Sequence, residues 1–521
     1  MKLFIHQLVA TCFACHCVIA LFGSASGEEP PTENAPSAAA ILQRIKEEPE
    51  ANVNGLRQLR LAIDGKLGEA EAEVIRRGGE LLHSRDNDVA EAACDLMSWL
   101  DEDALPPLLA ALESEEVLTQ SRAARAIGFI ATRLPAEHAK LEVAIVPLAQ
   151  MLNGEANVAR HNAFYALAAM GPHAIPTMIE HLDAEHKFIR IMTTFFLRHG
   201  AQSVQPLCAA LKDPDVTTRQ NAALVLFALS WKAEPPLAAM EQHALKPLTQ
   251  AIDDDDQVVR TRAINTLGRL GERARPALDE IIAALEQPDP PYLAIAEAAR
   301  RIGPQPRHLN ALFDGAVQAT EQGDDRDRAI AHFGAALAAI GPECLDHFMR
   351  AADDPQETIR ETAMYALYDL GEQAAPAMPL LIRKLNEGHT LAPRILERIG
   401  LGAKEAVPHL MRRLAHDEWA LPASRDAIIH LSQSAHVLTA IGPAALPAVL
   451  DGLKSDDELV QAGCLVALQK MKAGVMVPVD GIKSLLMHKR RTIRGMALGE
   501  LVAHGDQSTV EPILKEVVDH A

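Results

Sequence analysis

The chain has 521 residues, of which 48% are apolar, so it can bury several domains' worth of core. Its 70 acidic side chains outnumber 50 basic ones for a net charge of −20, which argues against binding nucleic acid or adhering to anionic lipid. Aromatic residues make up only 4%, and Ala and Leu dominate, a profile that favours helices over strands.

The first residues read Met1-Lys2, then a mostly apolar run from Leu3 to Phe22, then "GSASGEEPP". One positive charge, an apolar core and small residues predict a secretory signal peptide over 1–27, cleaved after Ala25 or Gly27. The alternative is an uncleaved membrane anchor, although Leu8–Phe22 is short for a membrane span. The same stretch contains Cys12-Phe-Ala-Cys15-His16, the pattern of covalent haem attachment. Inside a segment that crosses the membrane and is then removed, it cannot present a haem to a lasting domain. The mature chain is therefore expected in the periplasm or outside the cell, with no stable membrane insertion after signal removal. Residues 28–40, "EEPPTENAPSAAA", read as a flexible linker.

From residue 41 the chain repeats. "NVARHNAFYALAAMGPHAIP" ends at Pro176, "QVVRTRAINTLGRLGERARP" at Pro276 and "ETIRETAMYALYDLGEQAAP" at Pro376. Arg160, Arg260 and Arg360 align, followed by Ala163, Ala263 and Ala363, then Leu167, Leu267 and Leu367. Gly171, Gly271 and Gly371 come next, and the prolines lie five residues further on. Looser copies between these give a unit of roughly 30–40 residues. Apolar or small residues at +3, +7 and +10 from the Arg form one face of a helix. The Gly predicts a left-handed helix cap, and the Pro predicts the first turn of a second helix. Acidic turns such as "KDPDV", "DDDDQV" and "ADDPQE" follow, where Asp can accept from the free N–H groups of the next helix.

These motifs, Arg-x-x-Ala-x-x-x-Leu-x-x-x-Gly and the following Gly-x-x-Ala-x-Pro, resemble the HEAT-repeat family, particularly the short HEAT-like repeats of phycobilin lyases. The resemblance covers residues 41–521. It implies an all-α, armadillo-like fold: a right-handed superhelical solenoid of antiparallel helix pairs, about 13 repeats long. "EQPDPPYL" is where a bend is expected, near 286–310. In HEAT proteins the turn acid and the Arg commonly bond between units as a ladder. On this chain that role maps to Asp213 or Asp215 with Arg219, Asp256 with Arg260, and Asp354 with Arg360, and Arg160 stands in the same column.

The remaining constellations offer little chemistry. Cys94, Cys208, Cys344 and Cys464 lie three to four units apart, which separates them by roughly 30 Å and predicts buried free thiols rather than disulfides or ligands. No zinc spacing occurs, and His181 and His186 near Glu180 and Glu185 read as polar helix ends. HEAT-type di-iron enzymes use repeated His-Glu dipeptides, and the chain has none. No cofactor, metal or catalytic residue is therefore expected. Phe164, Tyr165, Phe188, Phe195, Phe196, Phe227 and Trp231 cluster and are read mainly as core. Arginines crowd 260–307, and Arg262, Arg269, Arg273, Arg275 and Arg301 make a candidate surface for an acidic protein partner. Arg269, off the core face, is expected to be exposed. The function expected is an exported, non-catalytic scaffold for protein–protein interaction. The alternative is a lyase-like or metal-dependent enzyme on the same repeats.

Overall fold

The structure is a computed structural model. It describes residues 37–47, 52–63, 67–134, 138–181, 186–232, 236–323, 325–416, 432–471, 482–488, 491–504, 510–513 and 515. The expected signal peptide and its Cys15-His16 lie outside these residues. The first described helix, Ala38–Glu47, begins inside the stretch read as a linker, because Ala38, Ala39 and Ala40 favour a helix and the Ser37 hydroxyl accepts from the Ala40 N–H at 3.3 Å.

Every regular element is an α-helix or a 3-10 turn; there is no strand among the described residues. The chain divides into two compact units, Met1–Ala277 and Leu278–Ala521. In the first, long helices Asn87–Trp99, Val117–Arg133, Asn157–Ala169, His186–His199, Val216–Leu229 and Gln257–Leu270 pack each on the next. Shorter helices, including Leu105–Leu112, Ile145–Met151, Ile175–Glu180 and Ala201–Ala210, form a second layer. In the second unit the long layer runs from Tyr292–Ile302 through Arg326–Ala338, Glu357–Leu370, Leu391–Ile399, Gln433–Ile441 and Glu458–Lys470 to Arg491–His504.

The periodic residues build the core between the layers. Ala163, Ala263 and Ala363 are fully buried, as are Leu167, Leu267 and Leu367. Small residues let the long helices approach closely. A Cβ on Gly334 would lie 2.5 Å from Tyr365 Cβ and 3.0 Å from the Thr362 carbonyl oxygen of the next long helix. Cys464 and Cys344 fill the alanine slots, and all four described cysteines are buried and free.

The repeat glycine differs from the expected left-handed α cap. Gly271 has φ 60° and ψ −135°, and Gly371 has φ 58° and ψ −126°. This positive-φ conformation is open to glycine because it carries no Cβ, and it leads directly into a 3-10 helix. Pro176 enters the first turn of its helix as expected, whereas Pro276 and Pro376 sit in 3-10 lead-ins, Gly271–Ala277 and Gly371–Ala377. Within the expected bend, Asp289 adopts φ 52°; it is flanked by prolines, and aspartate tolerates that region.

Candidate functional site

The aligned arginines have a common task in the structure. Arg260 Nη1 donates to the carbonyls of Asp254 (2.9 Å) and Asp255 (3.1 Å). Arg360 does the same to Asp354 (2.8 Å) and Pro355 (2.7 Å), and Arg219 to Asp213 (3.0 Å) and Pro214 (3.2 Å). Arg160 reaches the Gly154 carbonyl at 3.0 Å and the Asn157 side chain. The guanidinium therefore clamps its own preceding turn, satisfying carbonyls that no helix uses.

The turn aspartates serve the helix that follows. Asp215 accepts from the Thr218 N–H (2.6 Å) and Asp256 from the Val259 N–H (3.0 Å), as N-caps do. Asp354 Oδ1 closes the turn onto the Gln356 N–H at 2.8 Å. The ladder pairing thus differs from the one the resemblance implies. Arg219 passes over its own turn acids to the next unit, where its Nε and Nη2 meet Asp254 at 2.8 and 3.1 Å. Asp256 takes its inter-unit bond from Gln220 Nε2 at 3.0 Å.

A second column of rungs lies two residues after the clamp. Arg262 donates to the Gln220 carbonyl at 2.7 Å, and Asn162 donates to the Ser121 carbonyl at 3.1 Å. Arg122, at the same register, is buried and meets Glu91 at 3.0 Å. Burial pushes the Glu91 carboxyl up, but Arg125 and Arg122 beside it hold it below the ordinary carboxylate value. The signal for this column is a polar residue immediately before the invariably small +3 position, a place where an apolar face would otherwise begin.

These bonds change the reading of the arginine strip. Arg262 is a rung. Arg273 lies 3.6 Å from Glu241, and Arg301 bonds Glu297 at 2.5 Å. Arg269, expected to be exposed, is half-buried, with its guanidinium 3.5 Å from the centre of the Trp231 ring. Arg275 is exposed. Arg262, Arg269, Arg273 and Arg275 belong to the first unit and Arg301 to the second. Arg262, Arg269 and Arg273 thus reach neighbouring elements of the first unit, whereas Arg301 pairs within its own helix and Arg275 is exposed.

The aromatic cluster divides. Phe164, Phe195 and Phe196 are buried core, Tyr165 and Phe227 are half-buried, and Trp231 is exposed; the Phe188 side chain lies outside the described residues. His181 Nδ1 donates to the Thr177 carbonyl at 2.9 Å, and the side chains of Glu185 and His186 lie outside the described residues. No group of three or more possible metal ligands occurs among the described residues.

The sequence reading missed the exposed apolar residues nearer the N-terminus. Leu61 on helix Asn52–Ala62, Trp99 on Asn87–Trp99 and Phe129 on Val117–Arg133, each helix packed on the next, are exposed, Phe129 at 48%. The Trp99 ring lies between two guanidinia, Arg60 at 5.2 Å and Arg133 at 5.5 Å from its centre. Val143 and Val146, in the next repeat, are more than half exposed. No helix among the described residues is long and apolar enough to cross a membrane.

Comparison with known proteins follows the same lines. A family model of HEAT repeats matches residues 204–301. No curated protein matches the chain. Among solved structures, an engineered protein is similar at 17% identity and TM-score 0.33, covering 77% of this chain and 100% of its own. Kap95p, described with RanGDP, is similar at 12% identity and TM-score 0.46, covering 93% of this chain and 75% of its own. The karyopherin Kap121p, bound to the extreme C-terminus of the phosphatase Cdc14p, is similar at 11% identity and TM-score 0.43, covering 93% and 64%. Identities this low carry no function across. The chain is an all-α helical solenoid that carries HEAT repeats over residues 204–301, with helix pairs of the same kind before and after them.

Proposed function

We propose that the protein is an exported, non-catalytic scaffold that binds another protein. The observation that carries this reading is the exposure of Leu61, Trp99 and Phe129 on consecutive long helices. Large aromatic side chains exposed on neighbouring elements suit the contact surface of a protein partner. Arg60 and Arg133 bracket the Trp99 ring, and Arg133 also donates to the Leu100 carbonyl of the preceding repeat at 2.7 Å, which holds this part of the face in place on binding.

The test is affinity capture of the full-length protein from the native envelope fraction, beside a Trp99→Ser, Phe129→Ser double variant. A defined partner lost in the variant supports the reading. The same set recovered by both proteins refutes it. Export is tested by intact mass of the protein from its native host. A mature N-terminus between residues 26 and 28 is expected, and a soluble cytoplasmic species retaining Met1 would overturn the export claim.

A further inference from the structure

Charge is distributed very unevenly along the chain. Residues 68–116 hold fourteen carboxylates and three arginines, a net of −11 out of −20 for all 521 residues. This stretch folds as three helices of the first unit, Glu71–Leu81, Asn87–Trp99 and Leu105–Leu112, with their connecting turns. Its outer helices, Glu71–Leu81 and Leu105–Leu112, with the short turns leading into them, enclose an open groove of about 820 Å³.

The groove is shaped by close packing at its waist. A Cβ on Gly79 would lie 2.6 Å from Pro107 Cβ, so glycine is what lets the two helices meet there. Ala72, Ile75, Pro106, Pro107 and Ala110 form an apolar lining. Glu69, Glu71, Glu80 and Asp103 rim it, with His83 at one side. Arg76 is its single arginine, and it is held by Glu73 at 2.6 Å and by Glu80. Glu69, Glu71 and Asp103 remain as rim carboxylates around an apolar trough.

We propose that this groove binds a cationic polypeptide segment of the protein partner, one that carries lysine or arginine between small or apolar side chains. The inference rests on the scaffold reading above and deepens it. The complementarity has two parts. An acidic rim takes basic heads while the apolar trough takes the stems and intervening side chains. The −11 of the surrounding repeats attracts such a segment over several ångströms at low salt, raising its encounter rate. A small cation would use the carboxylates but gain nothing from the trough, which is why a peptide fits better.

The test uses the full chain and a fluorescein-labelled peptide of Lys-Leu-Lys-Ala repeated three times, followed by polarisation at low ionic strength. A peptide with Glu in place of Lys serves as the control. Saturable binding of the lysine peptide alone is expected. Neutralising the rim (Glu69→Gln, Glu71→Gln, Asp103→Asn) should weaken it about tenfold. Filling the trough with Ala72→Trp and Ala110→Trp, both at exposed positions, should weaken it similarly without altering charge. Removing three charges elsewhere in the acidic stretch (Glu113→Gln, Glu115→Gln, Glu116→Gln) should change it by less than about twofold. Equal weakening by this last variant, or no effect of trough filling, would overturn the proposal in favour of diffuse attraction. Full competition by spermine or calcium ions, with trough filling neutral, would assign the groove to small cations instead. Partner capture from the envelope that survives both groove variants would sink the groove and leave the scaffold. Peptide binding without any captured partner would do the reverse.

Discussion

Replacing Arg219 by alanine should loosen one joint of the solenoid and leave the rest intact. Its guanidinium makes two bonds to the Asp254 carboxylate of the next repeat, at 2.8 and 3.1 Å, and two to carbonyls of its own turn, at 3.0 and 3.2 Å. The two charged side chains are only 15% and 10% exposed. Breaking a sequestered pair of this kind costs about 3–5 kcal/mol when one charge is left behind. Asp254 would keep the Asp256 N–H at 2.9 Å, which eases that penalty, so about 3 kcal/mol is expected. Arg260→Ala removes a clamp on the Asp254 and Asp255 carbonyls and should cost about 1 kcal/mol. Each repeat rests on its neighbours, so the damage should be local. Hydrogen exchange read by mass spectrometry is the suitable assay, because a chain this long need not unfold in one step. Amides of Val216–Leu229 and Gln257–Leu270 should lose about 150-fold in protection for 3 kcal/mol, while Val117–Arg133 stays unchanged. Equal, small changes for Arg219→Ala and Arg260→Ala, or protection lost evenly along the chain, would refute the rung.

Three further outcomes follow from the packing. Burial pushes the thiols of Cys94, Cys208 and Cys464 up to about 11, 12 and 12, and that of Cys344 up as well, so none of the four should react with an alkylating reagent at pH 8 until denaturant is added; peptide mapping of the modified cysteines reads this directly. Gly334→Ala should cost about 2 kcal/mol in chemical unfolding of the second unit, because the added methyl meets backbone as well as Tyr365 and the helices must part. Burial, with Arg198 nearby, lowers His199 to about 4, so the fold favours its neutral ring; that contribution is whole above pH 6.5 and is lost as pH falls from 6.5 towards 4, and His199→Phe should abolish the loss of exchange protection of His186–His199 in that window.

The repeat was legible because it is written in spacing. Ala263, Leu267 and Gly271 mark one helix face and its end, and the structure buries or turns each of them accordingly. Helix content, the free buried cysteines and the capping role of Asp215 and Asp256 follow from local chemistry and one-dimensional period, which a sequence carries in full. The partners of long polar side chains do not. Arg219 could reach its own Asp213 or Asp215, yet its carboxylate is Asp254, 35 residues on, because the next long helix is stacked beside it. Arg262 and Arg269 looked like free surface, but one bonds the neighbouring helix and the other lies over Trp231. A guanidinium on a flexible stem has many destinations within reach, and only the packed neighbours choose between them. The acidic groove is decided in the same way: Glu69, Glu71 and Asp103 are ordinary turn acids in sequence, and they become one rim only where Gly79 lets Pro107 close against its helix.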